Sequence, residues 1–148
     1  MKCYIAADHA GFALKEEIKQ WLKAQQIVFE DLGTFDTQRV DYPLYAQKLA
    51  QHVLVDVDSV YGILICGSGI GMSIAANRFA GIRAALCHDA YTAEVARLHN
   101  DANVLCLGAR VLGFGIVESI LHVFFQTTFE GGRHEKRIAL IDAIQTKE

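Results

Sequence analysis

The apolar run Val60-Tyr61-Gly62-Ile63-Leu64-Ile65 ends at Cys66 and passes through Gly67-Ser68-Gly69-Ile70-Gly71 into a helix-like segment, Ile70 to Arg78. A buried strand that stops at a glycine turn and restarts at once as a helix leaves few folds open. The chain must be built from strand–helix units around a covered sheet. Glycine tolerates dihedrals that a side chain forbids, so this loop can turn tightly and expose its N–H groups. Those groups and the helix start form a natural site for an anion. A thiol beside such a site is placed for chemistry on developing negative charge.

The rest of the chain repeats the unit. Lys2 to Ala7 reads as a first strand, followed by Asp8-His9-Ala10-Gly11. Leu14, Ile18, Trp21 and Leu22 then recur at helical spacing among lysines and glutamates. Ile27 to Phe29 opens a second strand, and a polar loop from Phe35 to Pro43 holds Asp41 and Tyr42. Pro43 suits the first turn of a helix striped by Tyr45, Leu49 and Val53. After the glycine loop, Ile82 to Cys87 reads as a fourth strand and Ala90 to Leu98 as a helix. Asn103 to Leu107 is a fifth strand, ending at Gly108-Ala109-Arg110. A helix from Gly115 to Phe125 follows, and a last one carries Arg137, Ile138, Ile141 and Ile144.

This alternation predicts an α/β fold: a three-layer, doubly wound parallel sheet of five strands, Rossmann- or flavodoxin-like, in the order 2-1-3-4-5, with an extra C-terminal helix. At 148 residues, 52% of them apolar, the chain is expected to form one domain, 1–148, with a packed core. A net charge of −3 gives no reason to expect nucleic acid. No apolar run approaches the roughly eighteen residues of a membrane-spanning helix. Met1 to Asp8 lacks the shape of a signal peptide, so a cytoplasmic protein is expected. Cys3, Cys66, Cys87 and Cys106 are far apart, which argues against a zinc framework or a disulfide scaffold. Three of them lie inside apolar runs, where cysteine acts as a small hydrophobe. Only Cys66 ends such a run at a glycine turn.

Ligands of doubly wound sheets bind beyond the carboxyl ends of the strands, where the strand order reverses. That point falls between strands one and three, so topology brings Asp8-His9-Ala10-Gly11 beside Cys66-Gly67-Ser68-Gly69. A free thiol titrates near about 8.5, and a helix start with free N–H groups favours the thiolate. The glycine loop is not a Walker A loop, since no Lys-Ser or Lys-Thr follows. Nor is it a dinucleotide fingerprint, since Met72 stands where the third glycine belongs and the loop follows the third strand. His9 suits a substrate hydroxyl or a phosphate. Arg133 and Arg137, with His134, share a helix face if the last helix begins near Arg133, and arginine grips phosphate bidentately. Arg110 ends strand five on the same edge as Cys66 and strengthens the phosphate reading. His99-Asn100 precedes strand five and so lies at the opposite, amino edge. A strand of this length spans roughly 17–20 Å. If the two sets serve one site, they come from different subunits, which predicts a homodimer, or a tetramer built from it, with shared active sites.

Asp8-His9-Ala10-Gly11-Phe12, Asp41-Tyr42-Pro43, Ile65-Cys66-Gly67-Ser68-Gly69-Ile70-Gly71, Ala75-Ala76-Asn77-Arg78, His99-Asn100-Asp101 and Glu130-Gly131-Gly132-Arg133-His134 together resemble the ribose-5-phosphate isomerase B family, whose wider membership includes galactose-6-phosphate isomerase subunits. The resemblance runs from the first strand to the last helix. It implies an aldose–ketose isomerase of the pentose phosphate pathway, interconverting ribose 5-phosphate and ribulose 5-phosphate with no cofactor and no metal. Carried over by motif, it makes Cys66 the base that moves a proton between C1 and C2. Backbone from Gly67 through Gly69 and Ile70 to Gly71, with Asn100, would hold the enediolate oxygens, and Ser68 would assist proton transfer there. His99 of the partner subunit would open the sugar ring, Asp8 and Tyr42 would contact substrate, and His9, Arg110, Arg133 and Arg137 would hold the phosphate. Some relatives use a glutamate as base. This chain has Cys66 and so resembles the cysteine-using branch. The alternative is a six-carbon substrate, allose or galactose 6-phosphate, with His134 bearing on sugar length. Two readings lie outside the family. A flavin- or nucleotide-binding module would fit a flavodoxin-like sheet. A cysteine phosphatase needs an arginine where Met72 stands.

Overall fold

The computed structural model describes residues 1–144. In chain order its elements are β1 (Lys2–Ala7), α1 (Phe12–Ala24), β2 (Val28–Asp31), α2 (Tyr42–Val55), β3 (Val60–Cys66), α3 (Ile70–Ala76), β4 (Ala84–Leu86), α4 (Ala90–Asn100), β5 (Val104–Gly108), α5 (Phe114–Gln126) and α6 (Arg133–Asp142). The strands form one parallel sheet with helices on both faces, a Rossmann- or flavodoxin-like architecture with a sixth, C-terminal helix. No helix among the described residues is long and apolar enough to cross a membrane.

Alternation along the strands sorts the core. Cys3, Ile5, Ala7, Ile63, Ile65, Leu105 and Leu107 face α1, α4 and α5, while Tyr4, Ala6, Leu64, Cys66, Val104 and Cys106 face α2 and α3. β1, β3 and β5 therefore bury both faces, which is why their sequences read as continuous apolar runs rather than alternating ones.

The strand order is β2-β1-β3-β5-β4, so the expected 2-1-3-4-5 is corrected at its last two positions. β5 is buried along its whole length and is hydrogen-bonded on both sides, to β3 and to β4. β4 has three half-buried residues and takes the edge. Handedness agrees with this arrangement. The chain passes from β3 over β5's place to β4 through α3 on one face, then returns to β5 through α4 on the other. Right-handed crossovers in opposite directions must use opposite faces.

Several boundaries move as well. The fourth strand was expected over Ile82 to Cys87, but the Arg83 N–H is taken by the Asn103 side chain at 2.8 Å and the ladder starts only at Ala84. The helix expected to reach Arg78 ends at Ala76, with Arg78 and Phe79 bonding back three residues as a tightened turn. The helix expected to stop at Leu98 runs on to Asn100 and ends at Asp101, whose φ of 44° closes it. α6 starts at Arg133, which meets the condition for Arg133 and Arg137 to share a face, and stops at Asp142, leaving Ile144 outside it.

Candidate active site

β1 and β3 are neighbours, with Ala7 opposite Ile65, so both chains leave the sheet at the same edge. The Asp8 N–H donates to the Ile65 carbonyl at 3.1 Å, and one Asp8 carboxylate oxygen accepts the Gly11 N–H at 3.1 Å. That bond fixes the buried carboxylate beside the end of β3. From β3 the chain turns through Gly69, whose φ is 77° and whose missing Cβ would stand 2.8 Å from the Leu107 backbone. Only glycine meets both conditions, so the turn is built into the sequence at this position.

Cys66 is 5% exposed, and its sulfur accepts the Gly69 N–H at 3.2 Å. The Ile70 N–H is held by the Ser68 hydroxyl at 3.2 Å. The Arg110 N–H donates to the Gly67 carbonyl at 2.9 Å, and its guanidinium lies where a Gly67 side chain would otherwise be, 3.1 Å from that Cβ position. Tyr42 opens α2 and lays its ring against Gly71, where a Cβ would come within 2.5 Å of it. Asp8, Tyr42, Cys66, Gly67, Ser68, Ile70, Gly71 and Arg110 thus line one cavity of about 580 Å³, together with Ile74 and Val111. A thiol, a carboxylate, a hydroxyl, a phenol and a guanidinium converge there on a single opening, the arrangement expected of a polar ligand's site.

Not every expected residue is in this cavity. Gly69 lies behind the loop, with its N–H committed to the Cys66 sulfur. His9 sits at the rim of the same edge, where its Nδ1 accepts the Val40 N–H at 3.2 Å and so ties down the loop that delivers Tyr42. His99 and Asn100 are in the last turn of α4, and Arg133 and Arg137 are on α6. Asn100 lines a second cavity of about 310 Å³ with Asn77, Arg83 and Ile141. The seven residues of β3, at about 3.3 Å each, separate the two ends of the sheet. One chain therefore carries two half-sets at opposite edges.

At the second edge the rings of His99 and His134 stack, with centroids 4.4 Å apart and planes 14° from parallel. Glu130 stands against both, its Oε2 3.8 Å from His99 Nε2 and 3.6 Å from His134 Nε2. Burial holds the His134 pKa below the usual imidazole range, helped by the positive charges of Arg133, His99 and Arg137 and opposed by Glu130. These three are also the one group among the described residues with donor atoms close enough to hold a metal ion.

The other thiols behave as core. Burial pushes the Cys3 and Cys106 thiols far up, and that of Cys87 up to about 11, which disfavours the thiolate in all three. Sequence reasoning passed over Ile74 and Val111 in the cavity wall. Ile74 follows Ile70 by one turn of α3, a spacing that was visible, and both are exposed. It also passed over Glu130 as a partner of His99, for which no local pattern exists.

A family model described as Ribose/Galactose Isomerase matches residues 3–141. The chain belongs to that family. The isomerase is 45% identical over 147 residues to the ribose-5-phosphate isomerase B of Escherichia coli, covering 99% of this chain and 97% of that one. The solved structure of a ribose 5-phosphate isomerase from Thermotoga maritima superposes with a TM-score of 0.93 at 50% identity, covering 97% of this chain and 98% of that one. The ribose-5-phosphate isomerase B of Mycoplasma genitalium, solved with bound ribulose-5-phosphate, superposes at 0.91 with 42% identity, covering 95% and 93%. Fold, site and relatives agree on sugar-phosphate isomerase activity of the ribose-5-phosphate isomerase B type.

Proposed function

We propose that the isomerase interconverts D-ribose 5-phosphate and D-ribulose 5-phosphate through an enediolate, with Cys66 as the base. The observation that carries this reading is the position of the Cys66 sulfur: at the end of β3, under the Gly69 N–H, in a cavity that also holds Asp8, Ser68, Tyr42 and Arg110. The bound ribulose-5-phosphate of the Mycoplasma genitalium relative supports the choice of sugar.

The Cys66 thiolate takes the proton from C2 of the open-chain aldose and returns it to C1. The electron pair left at C2 moves onto the carbonyl oxygen, giving the enediolate. Backbone N–H groups of the Gly67–Gly71 loop other than that of Gly69, which the Cys66 sulfur holds, and Asn100 of the partner subunit stabilise that charge, and fixed donors of this kind contribute roughly 3–4 kcal/mol each. Ser68 moves the proton between the two oxygens. His99 of the partner subunit opens the ring, and Asp8 and Tyr42 orient the sugar. His9 and Arg110, with Arg133 and Arg137 of the partner subunit, hold the phosphate, whose binding energy positions the reacting carbons. The domain spans 1–148 and acts as a homodimer in the cytoplasm.

The test is isomerisation of ribose 5-phosphate with chelator present, native against Cys66→Ala. Native activity that survives chelator and falls by about 10²–10⁴-fold in the folded variant is the expected result, the worth of a positioned base. Full activity in Cys66→Ala would remove the cysteine from the mechanism. An inactive native protein would move the substrate to allose or galactose 6-phosphate, since the family description also names galactose.

A further inference from the structure

We propose that His99, Glu130 and His134 form a binding site for one divalent cation of the zinc class, and that the bound ion silences His99. The first observation is the donor set. Two imidazoles and a carboxylate offer atoms that all lie within 4.8 Å of one another. A tetrahedral ion with bonds of about 2.0–2.1 Å needs its ligand atoms about 3.4 Å apart. Glu130 Oε2 already stands 3.6 Å from His134 Nε2 and 3.8 Å from His99 Nε2, so the carboxylate needs only a few tenths of an ångström, and closure of the imidazole pair, whose donor atoms lie within 4.8 Å, comes from turning a ring. Two nitrogens and one oxygen suit zinc, nickel or cobalt better than magnesium or calcium, which demand more oxygens.

The second observation is independent of the spacing. His134 is 3% exposed, and its Nε2 has no hydrogen-bond partner among the described residues. A buried polar atom without a partner calls for one, and a bound ion is one answer. This nitrogen faces Glu130 across a gap too long for a hydrogen bond.

The part-exposed His99 ring is the one with room to adjust. A metal lies in the plane of an imidazole, so the stack must open as one ring turns. Neither ring makes a side-chain hydrogen bond among the described residues that would resist the turn. In the single chain His99 and Glu130 are part exposed, and in the proposed dimer they face the partner's substrate cavity, which leaves the fourth position open to water and gives the ion an entry path. The Glu130 N–H is bonded to the Leu98 carbonyl at 3.1 Å, so the loop carrying the carboxylate is fastened to the helix carrying His99. Arg133 and Arg137 flank the set and repel a cation, but both are exposed and screened by solvent. They weaken the site without abolishing it.

Coordination occupies the His99 nitrogen lone pair, so the ring can no longer trade a proton with a substrate. This consequence rests on the role given to His99 above. The binding itself does not. The experiment is calorimetric titration of chelator-stripped protein with zinc chloride, using native protein, Glu130→Gln and His134→Asn, with Cys66→Ser as the control for thiol binding. One zinc per chain should survive in Cys66→Ser and weaken by at least about tenfold in both other variants, a loss that even an outer partner of a metal ligand causes. Glu130 is at the surface, so that variant decides the matter if His134→Asn fails to fold. Zinc binding that is unchanged by Glu130→Gln, or that disappears with Cys66→Ser alone, overturns the site. Zinc bound at the site while ribose 5-phosphate turnover is unaffected overturns the silencing and leaves the site standing.

Discussion

Two glycines of the loop after Cys66 do different work, and a single methyl group separates them. A Cβ on Gly69 meets the Leu107 backbone at 2.8 Å while φ is held at 77°. Backbone cannot step aside, so Gly69→Ala is expected to cost about 1–3 kcal/mol and to pull the Gly69 N–H off the Cys66 sulfur. A lower urea midpoint together with reduced kcat checks this. The nearest atoms to a Cβ on Gly71 are those of the Tyr42 ring, the far end of a part-exposed side chain. Inside α3 alanine is the better helix former by up to about 1 kcal/mol. Gly71→Ala is therefore expected to leave the urea midpoint unchanged or raised and to displace Tyr42, seen as a higher KM. The sequence showed that glycines were needed here. It did not show which of them the neighbouring backbone had locked.

The α1–β2 pair shows what an element needs beyond its periodicity. Lys15 belongs to the polar spacing of α1, yet it is fully buried, bonded to Asp31 at 2.5 Å and to Glu16 at 3.1 Å. Lys19 adds a second contact to Asp31 at 2.8 Å. Burial alone would raise the Asp31 carboxyl, but the hydrogen bonds from Lys15, Lys19 and the Gly33 N–H outweigh it and hold the pKa below the usual carboxylate range. Such a group contributes stability that is fully present above the unfolded pKa, about 3.9, and is lost as pH falls through the lower folded value. Asp31→Asn is expected to cost about 3 kcal/mol at neutral pH, because it leaves the Lys15 ammonium buried without its main partner. Its stability should also fall less steeply than the native protein's below pH of about 4. Urea unfolding measured across that range tests both statements.

For the whole molecule, the separation of the two half-sets is the central fact. Cys66 and His99 leave opposite ends of a sheet whose β3 is seven residues long. The proposal of sites shared between subunits rests on that distance, and a mixing experiment decides it. Cys66→Ala and His99→Asn are each expected to be nearly inactive. Refolded together in equal amounts, they should recover about a quarter of native activity, since half the dimers are hybrids and each hybrid rebuilds one complete site across its two-fold interface. If each chain used its own cysteine and histidine, mixing would recover nothing.

What the sequence determined by itself is whatever depends on residues close together along it. Strand–helix alternation, the glycine turn after Cys66 and the placing of His99 at the amino edge all follow from local spacing and periodicity. The tertiary structure decided what depends on contacts between distant segments. It put β5 inside and β4 at the edge, because a run buried on both faces also needs a hydrogen-bonded neighbour on each side. It buried Lys15 against Asp31, brought Ile74 and Val111 to the cavity wall, and set Glu130 between two histidines of different helices. No local pattern encodes these pairings, because each arises from the free energy of packing elements together rather than from the preference of any one of them.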